Sequence, residues 1–413
     1  MLEARSAEGL VYRSAGLMAR LHPGEAEQLE SACGPSDRWL GEFRSRVLGM
    51  SDGSGAYRRL ELDSLADRRI LVVGGGAVGG RTLGKLVMLG AATGDGLIRV
   101  FDPDVGEVSN LQRQILTAAD AGRVGEAGQT PKVESLVRWV DAQVPFAQVE
   151  GIADGVRPEE VDDLIGDVDA VIMAADVSQP AVNFAILESC VRRRIPVFGG
   201  LDLNRTAISW HWTPENERSP LLRGLHRYGS APSEVAQLRA EDVTTTDVEA
   251  VLKGEKLHAL GWLVQMLDPA DLPASILQSL IEYVAAQQQP DREAFLPQAG
   301  VAATRQAQQT ADTIVRYFSP ERRGWSDVHS YVVFEGDTHA LHEGLRRAER
   351  WDDATLAADV RAELDAHTRR RTDWIEATFG DPDPVAGLTL ALLGVTKDDL
   401  LTGRSPLVTE RGR

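Results

Sequence analysis

The chain has 413 residues, enough for one large α/β domain with a sizeable insertion or for two or three smaller domains. Its composition, 43% hydrophobic and 26% charged, is that of a globular protein, and no stretch approaches the roughly 20 apolar residues of a membrane span. A formal net charge of −18 argues against sequence-independent nucleic-acid binding, and two cysteines, Cys33 and Cys190, cannot supply a zinc site made of four thiolates.

In chain order, residues 1–66 read as a mainly helical, loop-rich extension with a flexible SDGSG turn at 51–55. Its first residues carry charges throughout and lack an apolar run, so a cytoplasmic protein without a signal peptide is expected. Residues 67–212 alternate short apolar strands with amphipathic helices: RRILVVGG, a helix at 79–89, LIRVFD, a helix at 131–143 and FAQVEGI. A helix at 158–166, DAVIMAA, a helix at 180–193, IPVFGG and TAISWHW complete the series. Residues 213–296 read as a helical insertion that includes SILQSLIEYVAAQQQ. The core returns over 297–340, where a long helix places Ala307, Ala311, Ile314, Val315 and Phe318 on one face before the strand HSYVVF. Residues 341–413 form a polar, helical C-terminal extension. The expected fold class is α/β, a Rossmann-like, doubly wound and mostly parallel sheet with a helical insertion and N- and C-terminal extensions.

ILVVGGGAVGG runs a buried strand into a Gly-rich turn with Gly74, Gly76 and Gly79 in G-x-G-x-x-G spacing, which lets backbone N–H groups approach phosphate at a helix N-terminus. The next strand ends at FDPD and delivers Asp102, 23 residues beyond Gly79, where a carboxylate can accept from ribose hydroxyls. These features fit NAD as well as ATP. The residues that follow discriminate: Asn110, Arg113 and Gln114 in SNLQRQ, and Lys132 in PKVES, form a polar, cationic set suited to phosphates and to an activated carboxylate.

The ordered set GGGAVG, DPD, SNLQRQ and PKVES resembles the signature of the E1-like family related to ThiF and MoeB, and the likeness extends roughly over Arg46–Trp212 and 297–340. The resemblance implies an ATP-binding adenylation domain at 67–212. Its cofactors would be ATP and Mg2+, with Gly74, Gly76, Gly79, Asp102, Asp104 and Gln114 at the nucleotide and Asp176 at the metal. Arg113, Lys132 and Asn110 would act in catalysis, joined by Arg46, or else Arg44, reaching into the partner subunit of a homodimer. Where the family has D-C-T-D-N this chain has MAADV, so Met173 and Val177 replace the first Asp and the Asn around Asp176. The implied partner is a carrier protein or peptide with a free carboxylate, gripped by residues 1–66, with neither nucleic acid nor membrane involved.

Many relatives carry a cysteine in the crossover region, replaced here by residues 213–296, and several close the fold with zinc-binding C-x-x-C pairs. This chain has no cysteine after Cys190, which sits on a core helix and reads as packing. The expectation is therefore adenylation followed by transfer without an enzyme thioester. The alternatives are a catalytically silent peptide- or carrier-binding module and an NAD-dependent oxidoreductase. His339, His342 and Glu343 at helical spacing, and the runs Arg192–Arg194 and Arg369–Arg371, read as solvated helix faces; His211 and His226 flank the start of the insertion, where they could meet substrate.

Overall fold

The computed structural model describes residues 2–6, 9–13, 63–121, 130–175, 180–215, 272–287, 298–319, 331–334, 336–380, 384–393 and 395–402. Arg46, Arg44, Cys33, Asp176, His226 and most of the expected insertion lie outside them.

The first elements are β1 (Leu2–Ser6) and β2 (Gly9–Arg13), an antiparallel pair. From Asp63 the order is α1 (Asp63–Ala66), β3 (Arg69–Val73), α2 (Ala77–Met88), β4 (Leu97–Phe101), α3 (Lys132–Gln143) and β5 (Val149–Ala153). After a 3-10 turn at Pro158–Glu160 come α4 (Val161–Ile165), β6 (Ala170–Met173), α5 (Pro180–Arg193), β7 (Val197–Leu203) and β8 (Thr206–Trp212). Then follow α6 (Ala274–Gln287), α7 (Gly300–Phe318), β9 (Tyr331–Phe334), α8 (Gly336–Arg350), α9 (Ala354–Phe379), α10 (Pro384–Leu393) and α11 (Lys397–Thr402).

Among the described residues the strands form one sheet in the order β1-β2-β5-β4-β3-β6-β7-β8-β9. The five central strands are parallel, and each edge carries two antiparallel strands. Alternation along β3 sorts the core into two layers. Ile70 and Val72 face α2, α3 and α7 through Leu83, Leu136 and Ile314, while Leu71 and Val73 face α5 and α6 through Ile186 and Leu277. Both faces are covered, which is why these strands are apolar throughout. This is the expected doubly wound α/β architecture, and β3 is its switch point: β4 lies on one side and β6 on the other.

Three expectations are corrected. The helical reading of residues 1–66 fails at its start, where Leu2–Ser6 and Gly9–Arg13 are strands and β2 pairs with β5. The physical reason is that Val11 and Tyr12, each 3% exposed, enter the two opposite core layers, a two-sided burial that a strand provides. The helix expected at 158–166 splits at Val161 into the 3-10 turn and α4. The C-terminal extension is not merely polar: Ile375, Phe379, Leu393 and Leu400 bury in the same layer as α6, and Arg371 donates to the carbonyls of Leu272 and Leu400. On α7 the buried face runs through Ala307, Ala311, Ile314 and Tyr317, with Val315 and Phe318 at its half-buried margin.

Candidate active site

The Gly-rich turn lies where β3 meets α2, against the end of β6. Gly74 has φ +99°, and a Cβ there would stand 2.1 Å from the Ala174 carbonyl oxygen, so only glycine fits. Ala174 and Ala175, which follow β6, pack against this turn. A Cβ on Gly79 would meet the Gly74 oxygen at 1.9 Å, which is the close packing of turn on helix. Gly76 is different: its nearest neighbour would be the Gln114 Nε2 at 3.7 Å, an ordinary contact that leaves room for a Cβ. No side chain caps α2 at Gly76 and no acidic residue stands in its first turn, leaving the positive end of the helix dipole available to an anion.

Asp102 follows β4 and is 5% exposed. Its Oδ2 accepts from the Gly75 N–H at 2.7 Å and its Oδ1 from the Asp104 N–H at 2.9 Å. The carboxylate therefore braces the turn, and each oxygen keeps a second lone pair for a ligand hydroxyl. Burial raises its pKa, against the pull of Lys132. Lys132, the first residue of α3, donates to Asp104 Oδ2 at 2.7 Å, its side chain 11% exposed against 65% for Asp104. The Lys132 N–H also bonds the Asp104 carbonyl at 3.0 Å, so the FDPD and PKVES segments are locked together.

Val108–Asn110 forms a 3-10 turn that lifts Asn110 into the interior at 5% exposure. Arg113 donates to the Ser109 carbonyl at 2.7 Å. Three buried atoms here, Asn110 Oδ1, Arg113 Nε and Gln114 Oε1, have no hydrogen-bond partner among the described residues. Unpaired buried polar atoms are costly, so a cluster of them beside an open glycine marks a place built for a polar ligand. Of the expected site residues, the structure thus gathers Gly74, Gly76, Gly79, Asp102, Asp104, Asn110, Arg113, Gln114 and Lys132 around the β3 and β4 ends.

The ThiF family model matches residues 54–340, more than half of the chain. The chain belongs to the ThiF family. It is 30% identical over 190 residues to the SAMP-activating enzyme E1 of Haloferax volcanii, covering 46% of this chain and 63% of that protein. It is 28% identical over 170 residues to the sulfur carrier protein ThiS adenylyltransferase of Bacillus subtilis, covering 39% and 48%. The chain therefore spans less than two thirds of the length of these curated relatives. Among solved structures, the crystal structure of PaaA is 14% identical, with 78% of this chain and 82% of that one covered at a TM-score of 0.45.

Residues outside the ThiF-family signature lie beside these, and sequence reasoning missed them. Asp202 on β7 is 1% exposed, and burial pushes its carboxyl up to about 7 against the opposing pull of Arg113 and Arg81. Arg81, on the first turns of α2, donates through Nε to the Arg113 carbonyl. Gln306 of α7 lies over Gly200, where a Cβ would stand 2.1 Å from its Nε2; it donates to Thr310, which in turn shares a hydrogen bond with Ser209. A charged residue inside an apolar strand, as in VFGGLDL, was the available signal for Asp202.

The remaining candidates sort simply. Cys190 is fully buried and burial raises its thiol pKa, which suits packing. His211 is buried beside Phe198 and its pKa falls to about 4 through desolvation. His342 is exposed on α8, and among the described residues no cluster of three or more His, Cys, Asp or Glu could hold a metal. Arg192 pairs with Asp162 at the surface. A cavity of about 610 Å3 between α2 and α3 borders this site through Arg81 and Gln114 but does not include Asp102, Asn110 or Lys132.

Proposed function

We propose that this ThiF-family chain adenylates a carboxylate with ATP as co-substrate. The observation that carries the reading is the trio of unpartnered buried atoms on Asn110, Arg113 and Gln114 set against the open Gly76. Arg113 Nε can donate to a phosphate over the Gly74–Gly79 turn, and the two amide oxygens can accept from hydroxyl or amino groups of a nucleotide whose ribose lies at Asp102. A carboxylate oxygen attacks the α-phosphorus, the bond to the bridging oxygen breaks, and pyrophosphate leaves with the electron pair. The attacking carboxylate is already ionised, so no general base is needed. Arg113, Lys132 and Asn110 stabilise charge that builds on the phosphoryl oxygens, with Gln114 and Asp104 fixing their surroundings. Mg2+ supplies further charge neutralisation when bound, with Asp176 as its ligand.

Carrier proteins and ribosomal peptides with a free C-terminus are the substrate classes in view; the relatives' names point to the first. Residues 1–66 serve as the gripping or dimer lobe, 213–296 replace the crossover and 297–340 restore the core. Arg46 completes the site of the second copy in a cytoplasmic homodimer. Transfer proceeds without an enzyme thioester, since no cysteine follows Cys190 and that thiol is sealed in the core. ATP/pyrophosphate exchange, scanned over candidate carriers and peptides with mass spectrometry of the product, tests the reading. Arg113→Ala or Lys132→Ala should abolish exchange with the fold intact; unchanged exchange removes the mechanism.

A further inference from the structure

Asp202 is the sixth of seven residues on β7 and is 1% exposed, so its carboxylate is cut off from water. Its Oδ2 has no hydrogen-bond partner among the described residues. A buried carboxylate with one oxygen unpaired is costly unless opposite charge stands near. Two guanidinium groups do, Arg113 from the loop after the 3-10 turn and Arg81 from α2, while the neighbouring side chain from α7 over this face, Gln306, is neutral.

Arg113 is constrained from several directions. Its carbonyl accepts from Arg81 Nε, and its terminal nitrogen donates to the Ser109 carbonyl at 2.7 Å. The backbones on either side are tied through one segment: Gln298 donates to the Asp202 carbonyl at 3.5 Å, and its own carbonyl accepts from Gln112 at 2.8 Å. The Arg113 Nε, buried and unpartnered, is the donor left over, as Asp202 Oδ2 is the acceptor left over. The two side chains form no direct hydrogen bond or ion pair, so the Asp202 charge acts on the Arg113 guanidinium across the space between them.

We propose that Asp202 is a positioning residue for Arg113: the charge of its carboxylate orients the guanidinium, whose backbone carbonyl Arg81 fixes, toward developing phosphoryl charge. The proposal rests on the adenylation reading. Arg81 makes the arrangement a cation–anion–cation group, so one positive charge remains to face phosphate after the carboxylate is matched. Because the carboxyl titrates near neutrality, the group is fully assembled only above that range.

The test is Asp202→Asn, which keeps the shape and removes the charge, compared with wild type in ATP/pyrophosphate exchange from about pH 5 to about pH 9. The expected result is a fall in kcat of about 10- to 100-fold with a smaller change in KM for ATP, as for a misdirected catalytic group. Wild type should show an acid limb that rises through neutrality and is missing in the variant. A purely structural aspartate would lower the folded fraction and leave that limb in place. An Asp202→Asn protein with wild-type kcat and an unaltered pH profile overturns the proposal. Should that variant fail to fold, Asp202→Glu carries the same test: displaced by one methylene, it should lose kcat, and wild-type kcat overturns the proposal. A wild-type chain that exchanges with no carboxylate removes the adenylation reading and this proposal together; one that exchanges beside an unchanged variant removes this proposal alone.

Discussion

Gln112 and Gly300, 188 positions apart, are joined by a 3.0 Å hydrogen bond from the Gly300 N–H to the Gln112 side-chain oxygen. The same amide donates to the Gln298 carbonyl at 2.8 Å, so it clasps the turn that begins α7. A Cβ on Gly300 would stand 2.1 Å from the Gln112 carbonyl oxygen, and the two backbones are in direct contact. The SNLQRQ loop is thereby held by the helix that returns to the core after the insertion. Gly300→Ala should cost about 1–3 kcal/mol in urea denaturation through overpacking, and Gln112→Ala about 0.5–1.5 kcal/mol through the lost hydrogen bonds. Wild-type stability in Gly300→Ala would show that the contact is not a constraint.

The turn glycines should separate by function. Gly74→Ala puts a methyl into the Ala174 carbonyl at a positive φ, so melting followed by circular dichroism should show a loss of about 2 kcal/mol or more. Gly76→Ala has room, and its fold should melt close to wild type. ATP affinity, read by calorimetric titration, should nevertheless fall at least about 10-fold, because the methyl occupies the approach to the helix N-terminus. Equal affinities would move the phosphates away from Gly76.

Much of this was legible before any coordinates, and the reason is local. β3, α2, β4 and the motif residues they carry are specified by contiguous apolar runs and glycine spacing. TAISWHW is a strand over the same seven residues as expected. What escaped was information held in pairs. Asp202 acquires meaning only when the β7 end faces Arg113 and Arg81, and Gln306 only when α7 crosses Gly200. The strands at Leu2–Ser6 and Gly9–Arg13 are short, and their partner β5 lies over a hundred residues away, so local periodicity does not reveal them. The polar reading of the C-terminal extension failed similarly: α9 buries Ala357, Ile375 and Phe379 on a helix whose other residues are exposed or half-buried.

Thiol chemistry can be tested directly. Cys190 is 0% exposed and its thiolate is disfavoured by desolvation, so a thiol reagent should label it only on unfolding. Cys190→Ala should cost about 1–2 kcal/mol through a small cavity and keep wild-type exchange per folded molecule. Loss of exchange in a folded Cys190→Ala protein would restore a cysteine-dependent step.

Asp202 and His211 tilt stability in opposite directions with pH. The Asp202 carboxyl moves from 3.8 to about 7 on folding, so between these values the folded state binds the proton that the unfolded state has released, and stability falls as pH rises. His211 moves from 6.5 to about 4, so the unfolded state binds the extra proton in that window and stability falls as pH drops. Each full shift corresponds to about 3–4 kcal/mol, and the two slopes nearly cancel between about pH 4 and about pH 6.5. Removing one partner should expose the other. Asp202→Asn should gain about 2 kcal/mol more over wild type at about pH 8 than at about pH 5, measured by urea denaturation in matched buffers. His211→Gln should instead lose the acid-side slope, leaving a protein whose stability declines from about pH 4 to about pH 7. A stability difference for Asp202→Asn that is the same at both pH values would mean that the carboxyl stays ionised in the fold.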